Sequence, residues 1–159
     1  KLPDEQAAFE KGMTGMLPAL AGANLLFSGG VLEGGMTLSL EQMVIDNDMF
    51  SMFRKLAGGF SFSENNMLFD EIRDAGVGGH FISKPSTLKR MSEQSFPSIF
   101  DRDVRESWVK QGSRDAVSVA HSEVVDILKN HDPCGLDAEI VKDLEHFVKQ
   151  KDLEHSGNA

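Results

Sequence analysis

Two short apolar runs, each lying between segments with a helical pattern, constrain the fold of this chain most strongly. The runs are residues 24–28 (NLLFS) and residues 80–83 (HFIS). Each is too short for a helix and is therefore predicted to be a buried strand. Strands separated by helices pair in parallel, so the pattern indicates an α/β fold. Two short strands cannot form a sheet with both faces covered, which suggests a piece of a larger barrel or sheet.

Capping signals predict the first two helices. Pro3, with acidic residues beside it at the positive end of the helix dipole, begins a helix that runs towards Ala21 and kinks at Pro18. Ser39 begins the second helix, with Gln42 at the capping-box position, and a glycine pair ends it. The apolar residues of the second helix predict a buried face formed by Leu40, Met43, Val44, Phe50, Phe53 and Ala57.

The rest of the chain is also predicted to be mostly helical. Helices are expected at residues 63–75, 85–91, 104–111, 114–129 and 138–151. The tail is expected to fray, so the predicted organisation is one folded segment, 1–151, followed by a frayed end, 152–159.

Charge and cysteine usage narrow the function classes. The formal net charge of −9 disfavours binding to nucleic acid or to anionic membrane surfaces. The single cysteine, Cys134, excludes an intrachain disulfide and fits a cytoplasmic location. His131 and Cys134 have ligand-like spacing, but a zinc site would need a second such pair, so a structural role is favoured and no metal is expected.

Four segments together carry a resemblance to a known family. They are KLPDEQAAFEKGMTGMLPALAGANLL, GGVLEGGMTLSLEQMVIDNDM, GGHFISKPSTLKRM and PSIFDRD, in that order along the chain. In this order they resemble the trimethylamine:corrinoid methyltransferase family, which includes glycine betaine methyltransferases. The similarity covers about residues 3–151 and corresponds to roughly the C-terminal third of the family's chain.

The resemblance implies both a fold and a reaction. It implies the C-terminal portion of a TIM (β/α)8 barrel, helix-dominated, with the last two strands at 24–28 and 80–83 and a helical C-terminal tail. The implied reaction moves a methyl group from a methylated amine to the cobalt of a corrinoid. That corrinoid is carried by a cognate partner protein, so this chain is expected to bind no cofactor directly. Which amine is the substrate stays open.

Glu33, framed by two glycine pairs, is the first candidate site residue. In the implied barrel it follows the seventh strand, and catalytic groups of TIM barrels lie in such loops. A carboxylate there would stabilise a cationic ammonium substrate, which makes Glu33 the predicted catalytic residue. The alternative is that Glu33 is a solvated turn residue and that the glycines serve only the backbone geometry.

Gln6, Glu10 and His80 are the candidate substrate-binding residues. Gln6 and Glu10 lie one helical turn apart, with Gln6 expected to point into the mouth of the barrel. Glu10 has the alternative of a surface carboxylate, and His80 that of a buried, hydrogen-bonded structural histidine. Ser86 departs from the family pattern, which often has a histidine there.

Two functional hypotheses follow from the sequence. The first is enzymatic: the segment forms part of the substrate mouth of a methyltransferase and of the surface that docks the corrinoid protein. The alternative is a catalytically inert helical fragment that persists as a homo-oligomer.

Overall fold

The structure, a computed structural model, describes residues 1–132 and 135–156. The chain divides into two compact units, Lys1–Val125 and Asp126–Ala159. Both units are helical, and the described part of the chain forms one two-stranded antiparallel sheet. Cys134, half of the spacing motif with His131, lies outside the described residues.

The helices begin and end close to the predicted positions. Asp4 caps the first helix by accepting a hydrogen bond from the Ala7 N–H at 3.0 Å, and Ser39 caps the second by accepting one from the Gln42 N–H at 3.1 Å. Pro18 lies inside the first helix. The helices are α1 Glu5–Leu20, α2 Leu40–Ala57, α3 Glu64–Met67, α4 Phe69–Ala75, α5 Pro85–Arg90, α6 Arg105–Lys110, α7 Ala116–Asn130 and α8 Ala138–Ser156.

Three boundaries differ from the sequence prediction. The predicted helix 63–75 is divided into α3 and α4 because Leu68 adopts a left-handed conformation with φ of 51°. A 3-10 turn, Met91–Glu93, extends α5. The last helix continues past the predicted end at Lys151 to Ser156, the last described residue.

The prediction of two strands is wrong for this structure, because neither run forms a strand. Residues 24–28 and 80–83 are irregular, and Leu25 and Phe27 are 78% and 85% exposed instead of buried. A strand is stable only when a neighbour satisfies its backbone groups, and the described residues offer these two runs no such neighbour.

The sheet forms instead inside the glycine loop. Strand β1 is Val31–Leu32 and strand β2 is Thr37–Leu38, with Val31 opposite Leu38. The 3-10 turn Glu33–Gly35 connects them. Its left-handed backbone, which includes Gly34 at φ of 62°, reverses the chain within a few residues.

The core of the first unit lies where α1 packs on α2. Ile45, Met49 and Phe53 of α2 are buried there together with Ile99 and Ala120. The Phe53 ring occupies the space beside Gly15, where an added Cβ would stand 2.7 Å from a ring carbon. Gly15 thus allows a close neighbour to pack against α1, whereas Gly12 faces open space.

The predicted buried face of α2 is confirmed only in part: Val44 and Phe50 are half-buried and pack against the core. Of its members only Phe53 is buried, and Leu40 and Met43 are 41% and 40% exposed. The buried residues of α2 are Gln42, Ile45, Asp46, Asp48, Met49 and Phe53. Pattern analysis places apolar side chains inside, but here two carboxylates are buried because they accept hydrogen bonds from backbone N–H groups of the neighbouring loops.

Candidate functional site

An open cleft of about 610 Å3 lies between the first half of α1 and the glycine loop. Three of the four predicted site residues, Gln6, Glu10 and Glu33, line it although they come from two separate segments of the sequence. The other lining residues are Lys1, Asp4, Ala7, Lys11, Thr14, Phe27, Ser28, Val31, Leu32, Gly34 and Gly35. The structure therefore brings the first helix and the glycine-framed carboxylate to one place.

Glu33 begins the 3-10 turn with its backbone in the left-handed region, at φ of 53°. Its carboxylate accepts a hydrogen bond from Thr37 Oγ1 at 2.8 Å and pairs with Lys1 Nζ at 3.3 Å. The Thr37 hydroxyl, and after it Lys1, hold the pKa of Glu33 below its ordinary value of 4.5. The side chain is 41% exposed, so Glu33 presents an ionised carboxylate to the cleft at neutral pH.

Gln6 and Glu10 form a second polar group on the opposite wall. The Gln6 side-chain amide donates to Glu10 Oε1 at 2.8 Å, across one turn of α1. Both residues are exposed, so the bond orients the two side chains without burying them. The surface alternative for Glu10 therefore describes its exposure correctly, yet this exposed surface is the wall of the cleft.

The floor of the cleft holds a polar network that the sequence analysis missed. Lys11 Nζ lies 2.6 Å from Asp46 Oδ2 and 3.2 Å from the Ser28 carbonyl oxygen. The Gly30 N–H donates to the same Asp46 oxygen at 2.7 Å, and Gln42 Nε2 donates to Asp46 Oδ1 at 2.7 Å. Gln42 and Asp46 are each 1% exposed.

A signal for this network was present in the sequence. Gln42, Ile45, Asp46, Met49 and Phe53 follow the helical spacing of a single face, so two polar residues share a stripe with three apolar ones. Polar residues within an otherwise apolar stripe indicate that their partners are buried too. The capping-box interpretation assigned the Gln42 side chain to the Ser39 backbone, but the structure uses it for Asp46.

The position of Gly30 requires a residue without a side chain. Its φ is +77°, and an added Cβ would stand 2.8 Å from Met43 Cβ and 2.9 Å from the Ser39 carbonyl oxygen. The glycine thus allows the loop to pass close to the start of α2, where its N–H reaches Asp46. Gly34 and Gly35 also have positive φ but face open space.

His80 lies apart from the other candidates. It is exposed in the irregular segment between α4 and α5, and the residues lining the cleft do not include it. The interpretation of His80 as a buried structural histidine is therefore wrong. Nearby, Ser86 donates a hydrogen bond to Glu71, which ties α5 to α4.

The charges of the cleft favour a cation. Asp4, Glu10 and Glu33 contribute carboxylates, while the Lys11 ammonium is paired with a buried carboxylate and Lys1 with Glu33. No set of His, Cys, Asp and Glu side chains within residues 1–132 and 135–156 is arranged to hold a metal ion. Among the helices of these same residues, none is long and apolar enough to span a membrane.

Comparison with known proteins gives independent evidence about the family of this chain. The sequence model of the family described as trimethylamine methyltransferase (MTTB) matches residues 1–156. The trimethylamine methyltransferase MttB of Methanosarcina barkeri is 43% identical over 157 residues, which are 99% of this chain and 32% of that protein.

Two proteins of Desulfitobacterium hafniense are also similar to this chain in sequence. The trimethylamine methyltransferase MttB of Desulfitobacterium hafniense strain DCB-2 is 39% identical over 98% of this chain and 31% of its own length. A glycine betaine methyltransferase of strain Y51 of the same species is 33% identical over 97% of this chain and 32% of its own length. The chain thus spans about a third of the length of the curated relatives it matches.

Proposed function

The chain belongs to the trimethylamine methyltransferase family, and we propose that it forms part of an enzyme that demethylates a methylated amine. The methyl acceptor in this proposal is the cobalt of a corrinoid carried by a cognate partner protein, which is a second substrate. The donor is of the trimethylamine or glycine betaine type, since relatives of both names match the chain.

The observation that carries the proposal is the meeting of Gln6, Glu10 and Glu33 in one cleft. Trimethylamine is protonated at neutral pH, and glycine betaine bears a permanent positive charge on nitrogen. An ionised carboxylate is the group that attracts such a nitrogen, and the Thr37 hydroxyl favours the ionised form of Glu33. Gln6 and Glu10 face the same space from α1.

The charge change of the reaction indicates what Glu33 does. When the C–N bond breaks, its electron pair stays on nitrogen, so a cationic nitrogen becomes a neutral amine. A carboxylate beside that nitrogen stabilises the substrate more than the product. Its main contribution is therefore to bind and orient the donor, and its loss is expected to raise KM more than it lowers kcat.

We place the segment in the C-terminal portion of a TIM barrel as part of the same proposal. Residues 24–28 and 80–83 are irregular here, so as barrel strands they would need neighbours beyond the described residues. Their large exposed side chains, Phe27 and Ile82 among them, support such a covering partner.

The test uses a polypeptide of the relatives' full length that carries residues 1–159. Glu33→Gln removes the charge while nearly keeping the shape, and we expect KM for trimethylamine or glycine betaine to rise about tenfold or more. Glu64→Gln is the matched control, because Glu64 is an exposed carboxylate in the first turn of α3, outside the cleft. Equal KM values for Glu33→Gln and Glu64→Gln would remove Glu33 from the site.

A further inference from the structure

We propose that Asp46 is the positioning residue of the cleft and that it sets the preference of the cleft for cations. It contacts no ligand directly, being 1% exposed beneath the cleft floor. It acts through the Lys11 ammonium, which lines the cleft, and through the turn at Gly30, which leads into the lining residues Val31, Leu32 and Glu33. This inference rests on the proposed function, because it assigns a role in binding the cationic donor.

The first action of Asp46 is on the loop. Its Oδ2 atom accepts the Gly30 N–H at 2.7 Å, and Gly30 lies three residues before Glu33. The other oxygen accepts a hydrogen bond from the Gln42 amide at 2.7 Å, so the carboxylate is held both by the loop and by its own helix. A hydrogen bond from a backbone N–H to a buried carboxylate is among the stronger ones in proteins. The turn that carries Glu33 is thereby tied to the rigid second helix.

The second action of Asp46 is on charge. Lys11 lines the cleft, and its side chain is 19% exposed, so its ammonium lies at the boundary between the cleft and the buried network. Asp46 neutralises this ammonium at 2.6 Å. Without the carboxylate, an unpaired positive charge would face the cleft and repel a cationic donor. Discrimination in favour of cations thus depends on a residue that the donor does not touch.

The chain provides a matched control in Asp48. This residue is also buried on α2, at 6% exposure, and accepts a backbone N–H, that of Ile99, at 2.6 Å, together with the Ser98 hydroxyl at 3.1 Å. Its partners lie on residues 98 and 99, which do not line the cleft. Asp46 and Asp48 therefore share chemistry, helix and burial but differ in what they hold.

The experiment compares Asp46→Asn with Asp48→Asn in the 159-residue chain. Amide hydrogen exchange is measured by NMR at Gly30 and Ile99. The affinity of the cleft is measured for tetramethylammonium and for tert-butanol, a neutral molecule of similar shape. The ratio of the two affinities reports the charge of the cleft, because distortion of the loop affects both ligands.

We expect Asp46→Asn to accelerate exchange at Gly30 but not at Ile99, and to lower the cation-to-neutral affinity ratio about tenfold, the size expected for one partly solvated unit charge. Adding Lys11→Gln to Asp46→Asn should restore the ratio. Asp48→Asn should accelerate exchange at Ile99 alone and leave the ratio unchanged. An unchanged ratio and unchanged Gly30 exchange in folded Asp46→Asn would overturn the inference.

Two further outcomes are separable. If Asp46→Asn does not fold, the single variant Lys11→Gln tests the inference. We expect its cation-to-neutral affinity ratio to rise, and an unchanged ratio contradicts the inference. If the unaltered 159-residue chain binds neither probe, the affinity ratio is measured in the full-length polypeptide of the Glu33 test, where an unchanged ratio in Asp46→Asn overturns the charge role of Asp46. The exchange of Gly30 in Asp46→Asn then still decides whether Asp46 anchors the loop.

Discussion

Residues 1–57 and residues 58–96 are both rich in helix and belong to the same compact unit, yet different interactions hold them. The first region contains three buried polar residues on α2 and most of the core. The second region contains no buried residue, and this is true of each of its helices α3, α4 and α5. Phe60 and Phe62 are 86% and 85% exposed there.

This difference between the regions shows which of them is held by contacts within the described chain itself. In the first region a loop is held because its backbone donors reach buried carboxylates, and the cleft is built on that loop. In the second region no residue is buried, so its exposed apolar side chains are typical of a surface that another surface covers.

Phe53→Ala and Phe62→Ala should differ strongly in stability. Phe53 is 7% exposed, fills the space beside Gly15 and packs against Phe50, with ring centroids 6.2 Å apart. Its truncation should lower the free energy of unfolding by about 3–5 kcal/mol. Truncation of Phe62 should change it by less than about 0.5 kcal/mol. Urea unfolding of both variants measures this, and equal losses would contradict the proposed difference between the regions.

Two glycines with nearly the same φ, one in each region, compare how tightly the two regions are packed. Gly30 has φ of +77° and Gly78 has φ of +78°, but only Gly30 has atoms crowded around the position of an added Cβ. Alanine at either position pays about 1–2 kcal/mol for the left-handed conformation. Gly30→Ala should cost about 1–3 kcal/mol more through overpacking against Met43 and Ser39. A cost for Gly78→Ala as large as that for Gly30→Ala would show that residues 58–96 are packed more tightly than described.

The same contrast explains which parts of the fold the sequence predicts. Helix ends follow from local chemistry, so Ser39 and the glycine pair after Ala57 mark the two ends of α2 correctly. The strands at 24–28 and 80–83 could not be decided locally, because a strand depends on a partner distant in sequence or in another chain.

The site was predicted only in part, for a related reason. Gln6, Glu10 and Glu33 were selected from spacing, glycine framing and family resemblance, and they do share a cleft. The helical spacing around Asp46 indicates a buried polar partner but does not identify Lys11, which lies 35 residues away along the chain. His80 was placed on a strand that does not form, so its location could not be right.

Self-association should depend on the second region. Phe60, Phe62 and Met67 line one open groove of about 1130 Å3, and an uncovered apolar surface of this kind favours a homo-oligomer. Phe60→Ser combined with Phe62→Ser should weaken the dimer about tenfold, or 1.4 kcal/mol. Phe9→Ser is the control, since Phe9 is also exposed but lies on α1 in the first region. Light scattering after size exclusion measures the change, and a monomer at all concentrations without any substitution would refute the prediction.

The smallest expected effect concerns the titration of Glu33. The hydroxyl of Thr37 is the main cause of its lowered pKa, so the ionised form persists as the pH falls through the ordinary value of 4.5. Binding of a cation through Glu33 should therefore persist to a lower pH than an ordinary glutamate would allow and be lost on further acidification.

Thr37→Val should raise the pKa of Glu33 towards its ordinary value, so that cation binding is lost at a higher pH than in the unaltered chain. Thr87→Val, which removes a hydroxyl from the second region, should leave the titration unchanged. Carboxyl carbon NMR follows both. Equal titration curves for the two variants would show that the Thr37 bond does not govern Glu33.

The most direct test of the account is a titration of the 159-residue chain with trimethylammonium, followed by amide NMR. We predict shifts at Gln6, Glu10 and residues 33–35, with residues 58–96 unchanged, because the ionised carboxylates of the cleft attract the cation. Glu33→Gln should reduce these shifts. Shifts concentrated in residues 58–96, or none at the cleft at saturating concentrations, would contradict the claim that this cleft binds the methylated amine.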